Sequence, residues 1–291
     1  MLKLNNFFPL VFVILWSSAF ITSKIIVEDA SPFIALSFRF IIVAFIFFVF
    51  FILFSERKFF SFKSVLEALV SGILFHGFYL GGVFYALSKG ASASIIALIV
   101  SLQPIMTAVL AQKILKEFLS KIQWFGILIG FLGAAIVIVS DLNDDLTILA
   151  LCSGLVGLIS SSIGIIWQKR IVNDLSLSAN NFLQALGASI FHLLLAICFE
   201  NYFINFTSSF LIAMTWQVLV ISLGAFLILM WMLKYNDAGK TSTLFFLIPP
   251  VSAIMAYLIL QENFTHLDIF GLFLSSIGVF IVTKNNSIKQ K

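Results

Sequence analysis

Charged side chains are scarce in this chain. Asp, Glu, Lys and Arg make up 10% of its 291 residues, against about 25% in a soluble domain. Hydrophobic residues make up 61%, and the mean hydropathy is +1.13. No soluble core absorbs that much apolar surface, so the solvent is lipid. There are only two cysteines, Cys152 and Cys198, and both lie in apolar runs. They act there as small hydrophobes, which excludes a disulfide framework and a cysteine metal site. No GxxxxGK loop is present, so ATP drive would need a partner. No HExxH, paired aspartate or Ser-His-acid set falls at membrane depth, so no enzyme, cofactor or metal is expected. No Asp or Glu lies deep inside any of the apolar runs, and the nearest, Glu67, stands at the start of one. This excludes a carboxylate proton relay and direct cation selection by a buried acid.

A bilayer-spanning helix needs about 20 mostly apolar residues. Ten runs qualify: 7–27, 33–54, 65–88, 92–112, 121–140, 147–168, 178–199, 211–234, 240–260 and 266–283. The first follows a short Lys3-bearing segment and reads as an uncleaved helix. With the N-terminus in the cytoplasm, all but Lys24, Lys89 and Arg39 of the 17 Lys and Arg residues fall on the cytoplasmic side. The positive-inside rule then places both termini there. The +4 net charge is explained by this bias, and nucleic acid is not expected as a partner.

The chain writes one pattern twice, in Leu87–Val139 and Leu233–Val282. Leu87 and Leu233 lie equally far before Pro104 and Pro250. Leu115-Lys116-Glu117 answers Leu260-Gln261-Glu262. Phe125-Gly126, Gly133 and Ile136-Val137 answer Phe270-Gly271, Gly278 and Ile281-Val282. Trp16-Ser17-Ser18 falls on Ser161-Ser162-Ile163, and Lys24 on Lys169. The halves are 1–141 and 147–291, joined by a hydrophilic linker at 142–146. Five helices per half is odd, so the second half enters from the opposite face. The expected fold is an all-α integral membrane protein of ten transmembrane helices in two inverted five-helix repeats. Such repeats build matched gates around a midplane site.

Read as a whole, the chain resembles the EamA-type carriers of the drug/metabolite transporter superfamily. The likeness rests on Trp16-Ser17-Ser18-Ala19-Phe20, Arg39-Phe40, Tyr85-Ala86-Leu87, Leu102-Gln103-Pro104 and the two Glu-to-Gly-to-Gly strings. It implies two five-helix lobes about an inverted pseudo-twofold axis. It also implies a central cavity lined mainly by helices 1, 3, 4, 6, 8 and 9. Members move amino acids, other small metabolites or drugs, often outward. Two departures stand out. The common Gly-Glu ending helices 4 and 9 is Lys116-Glu117 and Gln261-Glu262 here, and the tryptophan of helix 1 is answered in helix 6 by Ser160-Ser161-Ser162.

The candidate substrate-binding residues are Trp16, Ser17, His76, Tyr79, Gln103, Ser161 and Trp231. His76 and Tyr79 share a face of helix 3, where they either meet a zwitterion or proton or pack between helices. Trp16 and Trp231 sit deeper than interfacial Tyr85 and Trp167. Ser17 and Ser161 lie at matched levels, either as close-packing residues or as ligands. Gln103 precedes a proline break that frees backbone carbonyls. Arg39 is charged at membrane depth. It either forks a substrate carboxylate or is held by backbone carbonyls, Glu28 or Asp29. His192 is read as structural. Pro104, Pro250, Glu117 and Glu262 are hinge or gate candidates, the glutamates also fitting a helix-capping role. The glycine pairs of helices 5 and 10 pack the lobes together or form a dimer seam.

These readings point to a secondary transporter in the inner cell membrane. Its cargo would be a small organic solute, an amino acid or related metabolite, moved by alternating access, with export indicated by the resemblance. A multidrug or cationic-solute exporter, an intramembrane enzyme, and a channel or scaffold are the alternatives. The expected partners are a small-molecule substrate and the lipid bilayer, as a monomer or a homodimer.

Overall fold

The structure, a computed structural model, describes residues 7–54, 61–141, 147–261 and 265–284. Lipid offers no partners to backbone N–H and C=O groups, so each apolar run satisfies its own as a helix. The helices are α1 (Phe8–Asp29), α2 (Pro32–Phe54), α3 (Phe62–Ser88), α4 (93–115), α5 (Lys121–Asp141), α6 (Ile148–Ile171), α7 (Leu177–Phe199), α8 (Ser208–Tyr235), α9 (Ala238–Leu260) and α10 (His266–Lys284). Among the described residues, α1, α2, α3, α6, α7, α8 and α9 are long and apolar enough to cross a membrane. Shorter apolar stretches run over Ile99–Leu115, Lys121–Gly133 and Ile269–Val282 in α4, α5 and α10. The proposed linker 142–146 and Glu262 lie outside the described residues.

Polar residues at the helix ends decide where the helices begin. Ser61, Thr147, Ser176 and Thr207 each accept from the backbone N–H three residues on, capping α3, α6, α7 and α8. Proline decides where two of them break. α4 consists of Ala93–Ser101, Gln103–Leu110 and Ala111–Leu115, interrupted at Leu102 just before Pro104. α9 tightens to a 3-10 turn at Thr243–Leu247 before Pro249 and Pro250 open its last segment, Ile248–Leu260. Both helices then end in the left-handed conformation, at Lys116 with φ 59° and Gln261 with φ 58°. That geometry favours glycine and explains why Gly-Glu is the common pair at this position in the resembled family.

The two halves share one core. α2 packs on α7, α5 on α10, and α4 on α9; α1 packs on α8 and α9, and α6 on α3 and α4. Small residues set these distances. A Cβ on Gly133 would lie 2.4 Å from the Ser275 nitrogen and 2.7 Å from the Gly271 carbonyl, and one on Gly278 would lie 2.4 Å from the Gly130 nitrogen. The α5–α10 glycines therefore pack the two halves of one chain together, backbone against backbone. A Cβ on Gly72 would lie 2.1 Å from the Gln184 carbonyl, which closes α3 onto α7 in the same way.

Since a side chain at positive φ costs about 1 kcal/mol, Lys116→Gly is expected to stabilise the fold by about that much. A higher midpoint in detergent thermal unfolding is the readout, and an unchanged or lower one would remove the strain argument.

Candidate functional site

The site starts from a local irregularity in two helices. α3 widens into π-helical turns at Ile73–Tyr79, and α8 does so at Gln217–Ala225. Such turns shift the i→i+4 ladder to i→i+5 and recur at functional sites. Here both face one cavity. Its lining takes Trp16, Ala19, Phe20 and Ser23 from α1, Arg39 from α2, Phe75, His76, Tyr79, Leu80 and Val83 from α3, and Gln217, Ile221, Ser222 and Phe226 from α8. The enclosed space between these side chains is small. It is narrow, and admits only water-sized molecules in this conformation.

Trp16, Phe20, Phe75, Tyr79 and Phe226 give the walls much of their apolar surface. Trp16 lies 6.1 Å from Phe75 between ring centroids, and His76 lies 4.5 Å from Phe226 and 4.9 Å from Phe40. The polar groups are few and fixed. Trp16 Nε1 donates to the Tyr79 hydroxyl at 3.3 Å. Arg39, 3% exposed, donates from Nε and Nη2 to Ser222 Oγ at 3.1 and 2.9 Å. No acidic side chain pairs with this guanidinium among the described residues; Asp29 instead accepts from the Thr207 hydroxyl. Gln217 Nε2 donates to the Ala19 carbonyl, Thr22 Oγ1 and Ser23 Oγ at 2.8, 2.7 and 3.0 Å, tying α8 to α1.

The cavity thus brings together four of the expected residues: Trp16, His76, Tyr79 and Arg39. It lies among α1, α2, α3 and α8, so helix 2 contributes a side chain, whereas α4, α6 and α9 contribute none to this lining. The other candidates stand elsewhere. Ser17 donates to the Ile248 carbonyl at 3.4 Å, and Ser252 donates back to the Ser17 carbonyl at 3.2 Å, pinning α1 to α9. Ser161 donates to Leu158 within its own helix. Trp231 packs between Phe8 and Tyr235, its ring tilted against both at 5.0 and 5.4 Å, near a helix end. Gln103 is fully buried with both amide atoms lacking partners, as is the Thr107 hydroxyl a turn later. His192 donates from Nε2 to the His76 carbonyl at 3.0 Å, a carbonyl in the first π turn. Gln217, Ser222 and Ser23 were not singled out from sequence. Their signal was available: an amide and a hydroxyl within an apolar span on α8, facing the only Arg at membrane depth.

Matched contacts close the helix ends. Lys169 at the end of α6 donates to the Leu233 and Asn236 carbonyls at 2.7 and 2.8 Å. Lys24 near the end of α1 donates to the Ala91 carbonyl at 3.1 Å. The Glu117 carboxylate accepts from the Ala238 and Gly239 nitrogens at 2.8 and 3.4 Å, capping α9 across the chain rather than its own neighbour.

A bundle of membrane-length apolar helices around a narrow, sparsely polar cavity defines a multi-pass membrane transport protein. The chain belongs to the EamA-like transporter family, whose model matches it twice, over residues 4–139 and 148–284. It is 23% identical to the uncharacterized transporter YvbV of Bacillus subtilis, over 78% of this chain and 73% of that one. It is 24% identical to an uncharacterized transporter of Archaeoglobus fulgidus, over 94% and 96%. Similarity at 24% identity extends to a WAT1-related chloroplastic protein of Arabidopsis thaliana, covering 92% of this chain and 66% of that one. A solved crystal structure at 16% identity shares the fold over 96% of both chains, with a TM-score of 0.76.

Two outcomes are expected. Ser222→Ala strips the buried guanidinium of its side-chain acceptor and should cost about 1.5–3 kcal/mol of stability, read as a lowered unfolding midpoint. Burial, then the neighbouring Asp237, raises the Glu117 pKa against the opposing pull of its two backbone donors and Lys169. A raised folded pKa gives stability that is present at low pH and lost as pH rises through the folded value. Glu117→Gln is therefore expected to gain on the wild type as pH rises from about 4.5 upward; parallel melts across that window check the sign.

Proposed function

We propose that the chain is a secondary transporter of the inner cell membrane. It moves an amino acid or related zwitterionic metabolite, in the direction of export, by alternating access. One observation carries the substrate class: the cavity holds a buried guanidinium with no acidic partner among the described residues. A cation at membrane depth is costly unless an anion answers it. A substrate carboxylate is the anion that fits, since Arg presents a planar fork that matches it. A cationic solute would meet the same charge and be repelled. Export rests on the family resemblance.

Ten spans in two inverted five-helix repeats, with both termini cytoplasmic, suit this reading. Support comes from features that occur in pairs: left-handed ends at Lys116 and Gln261, proline breaks at Pro104 and Pro250, and lysine contacts from Lys24 and Lys169. α1 meets α8 and α9 as α6 meets α3 and α4. On this topology the cavity occupies the external half of the bundle, and Lys169 and Glu117 close the cytoplasmic end. Counting at the spacing that relates Lys24 to Lys169 puts Gln184 opposite Arg39. Gln184 is hydrogen-bonded to Gln168 and Asn180 and buried against α3. On this reading the cytoplasmic counterpart of Arg39 is a neutral amide held by two others. Exchange of the two arrangements would carry the site from one face to the other.

Counterflow of a labelled amino-acid mixture in proteoliposomes, with and without a pH gradient, tests the proposal. The wild type should show saturable exchange, and Arg39→Ala should lose it at least about tenfold, as removal of a charge-assisted pair requires. Accumulation driven by the gradient and abolished by His76→Ala would add proton coupling; exchange indifferent to it would leave His76 as a binding residue. A wild type that exchanges no amino acid removes the assignment.

A further inference from the structure

We infer that Gln217 reads the ammonium group of the substrate, making the site selective for amino acids over the same carboxylic acids without the amino group. This rests on the carboxylate being held by Arg39, as proposed above. Gln217 is fully buried and lines the cavity, and its Oε1 has no hydrogen-bond partner. The orientation of its amide is set by chemistry. Nε2 faces the Ala19 carbonyl, which only accepts. It also faces two hydroxyls whose protons are already used: Thr22 donates to the Ser18 carbonyl at 3.0 Å and Ser23 to the Ala19 carbonyl at 2.6 Å. The carbonyl can only accept and the two hydroxyls spend their protons within α1, so the nitrogen, with two N–H groups to share, belongs on α1 and the oxygen is left free.

The π turn explains why Gln217 shares a site with Arg39. In an α-helix, Gln217 and Ser222 would point about 140° apart. With i→i+5 bonding they stack on one face, and Ser222 is the group that holds the guanidinium. Of the other polar groups of the lining, His76 offers one acceptor nitrogen when neutral and is 7% exposed. The Tyr79 oxygen accepts from Trp16, Ser222 Oγ accepts from Arg39, and Arg39 only donates. No carboxylate lines the cavity to attract the ammonium. Among the described residues of the lining, Gln217 Oε1 is the fully buried side-chain acceptor left without a partner. A zwitterion bound between Arg39 and Gln217 meets a donor fork at one end and an unsatisfied acceptor at the other.

The test is equilibrium binding to the purified full chain, using L-leucine, L-phenylalanine and L-alanine, each against its des-amino carboxylate. The wild type should prefer at least one amino acid by about tenfold or more. Gln217→Leu should bring that ratio close to one while leaving the carboxylate's own affinity in place. Thr22→Val loosens the same α1–α8 contact without touching Oε1 and should keep the preference, which separates recognition from anchoring. If Gln217→Leu does not fold, the trimethylated ammonium analogue of the preferred amino acid replaces it. That ligand keeps the charge, lacks N–H donors, and should bind about tenfold more weakly to the wild type. A ratio unmoved by Gln217→Leu, or an analogue bound as tightly as its parent, overturns the inference and leaves the carboxylate reading standing. A wild type that binds neither member of any pair overturns both.

Discussion

A guanidinium at membrane depth needs an answer, and much of the bundle is arranged around the one given to Arg39. Lipid cannot solvate it, and no acidic side chain among the described residues neutralises it. Ser222 supplies two hydrogen bonds, the face of Phe40 lies 5.1 Å from the guanidinium carbon, and the charge is left uncompensated. On the proposed function, that imbalance is tolerable because a substrate anion enters and leaves. A carboxylate built into the protein would satisfy the charge permanently and compete with substrate.

Arg39, His76, Tyr79 and Gln217 share one small cavity among α1, α2, α3 and α8, inside a bundle shaped by two devices. Glycine brings backbones into contact where α3 meets α7 and where α5 meets α10. The π turns re-aim α3 and α8 at the same depth and leave the His76 carbonyl available to His192. His192 thereby braces the turn that carries His76 and Tyr79, which gives its structural reading a definite content. Such turns are poorer in hydrogen-bond geometry than a regular helix, so they are places where a helix can change shape at modest cost.

The ends of the bundle follow a different logic from its middle. There the contacts are polar, exchangeable with water and few: Lys169 on two carbonyls, Lys24 on one, Glu117 on two amides. Contacts of this kind break and reform at small net cost because water offers equivalent partners. The hydrophobic and glycine-mediated contacts deeper in have no such replacement, since packing at close range is lost outright when helices part.

Much of the architecture was legible in the sequence because lipid imposes simple rules. An apolar run of membrane length must be helical, Pro104 and Pro250 must interrupt their helices, and a lone Arg among apolar residues must matter. Trp16, His76, Tyr79 and Arg39 were singled out from the sequence, and all four line the cavity. Matched left-handed ends at Lys116 and Gln261 were foreshadowed by the repeat, although their backbone strain was not. What tertiary structure alone decided is which polar groups converge. Ser17, Ser161 and Trp231 carry the same chemistry as the residues that reached the cavity, yet helix rotation and packing turn them to other partners. Gln217 and Ser222 reach it because a π turn places residues five apart on one face, a register that α-helical periodicity cannot announce. Composition and periodicity determine that a helix crosses the bilayer; the angle at which it presents its few polar side chains is set by its neighbours.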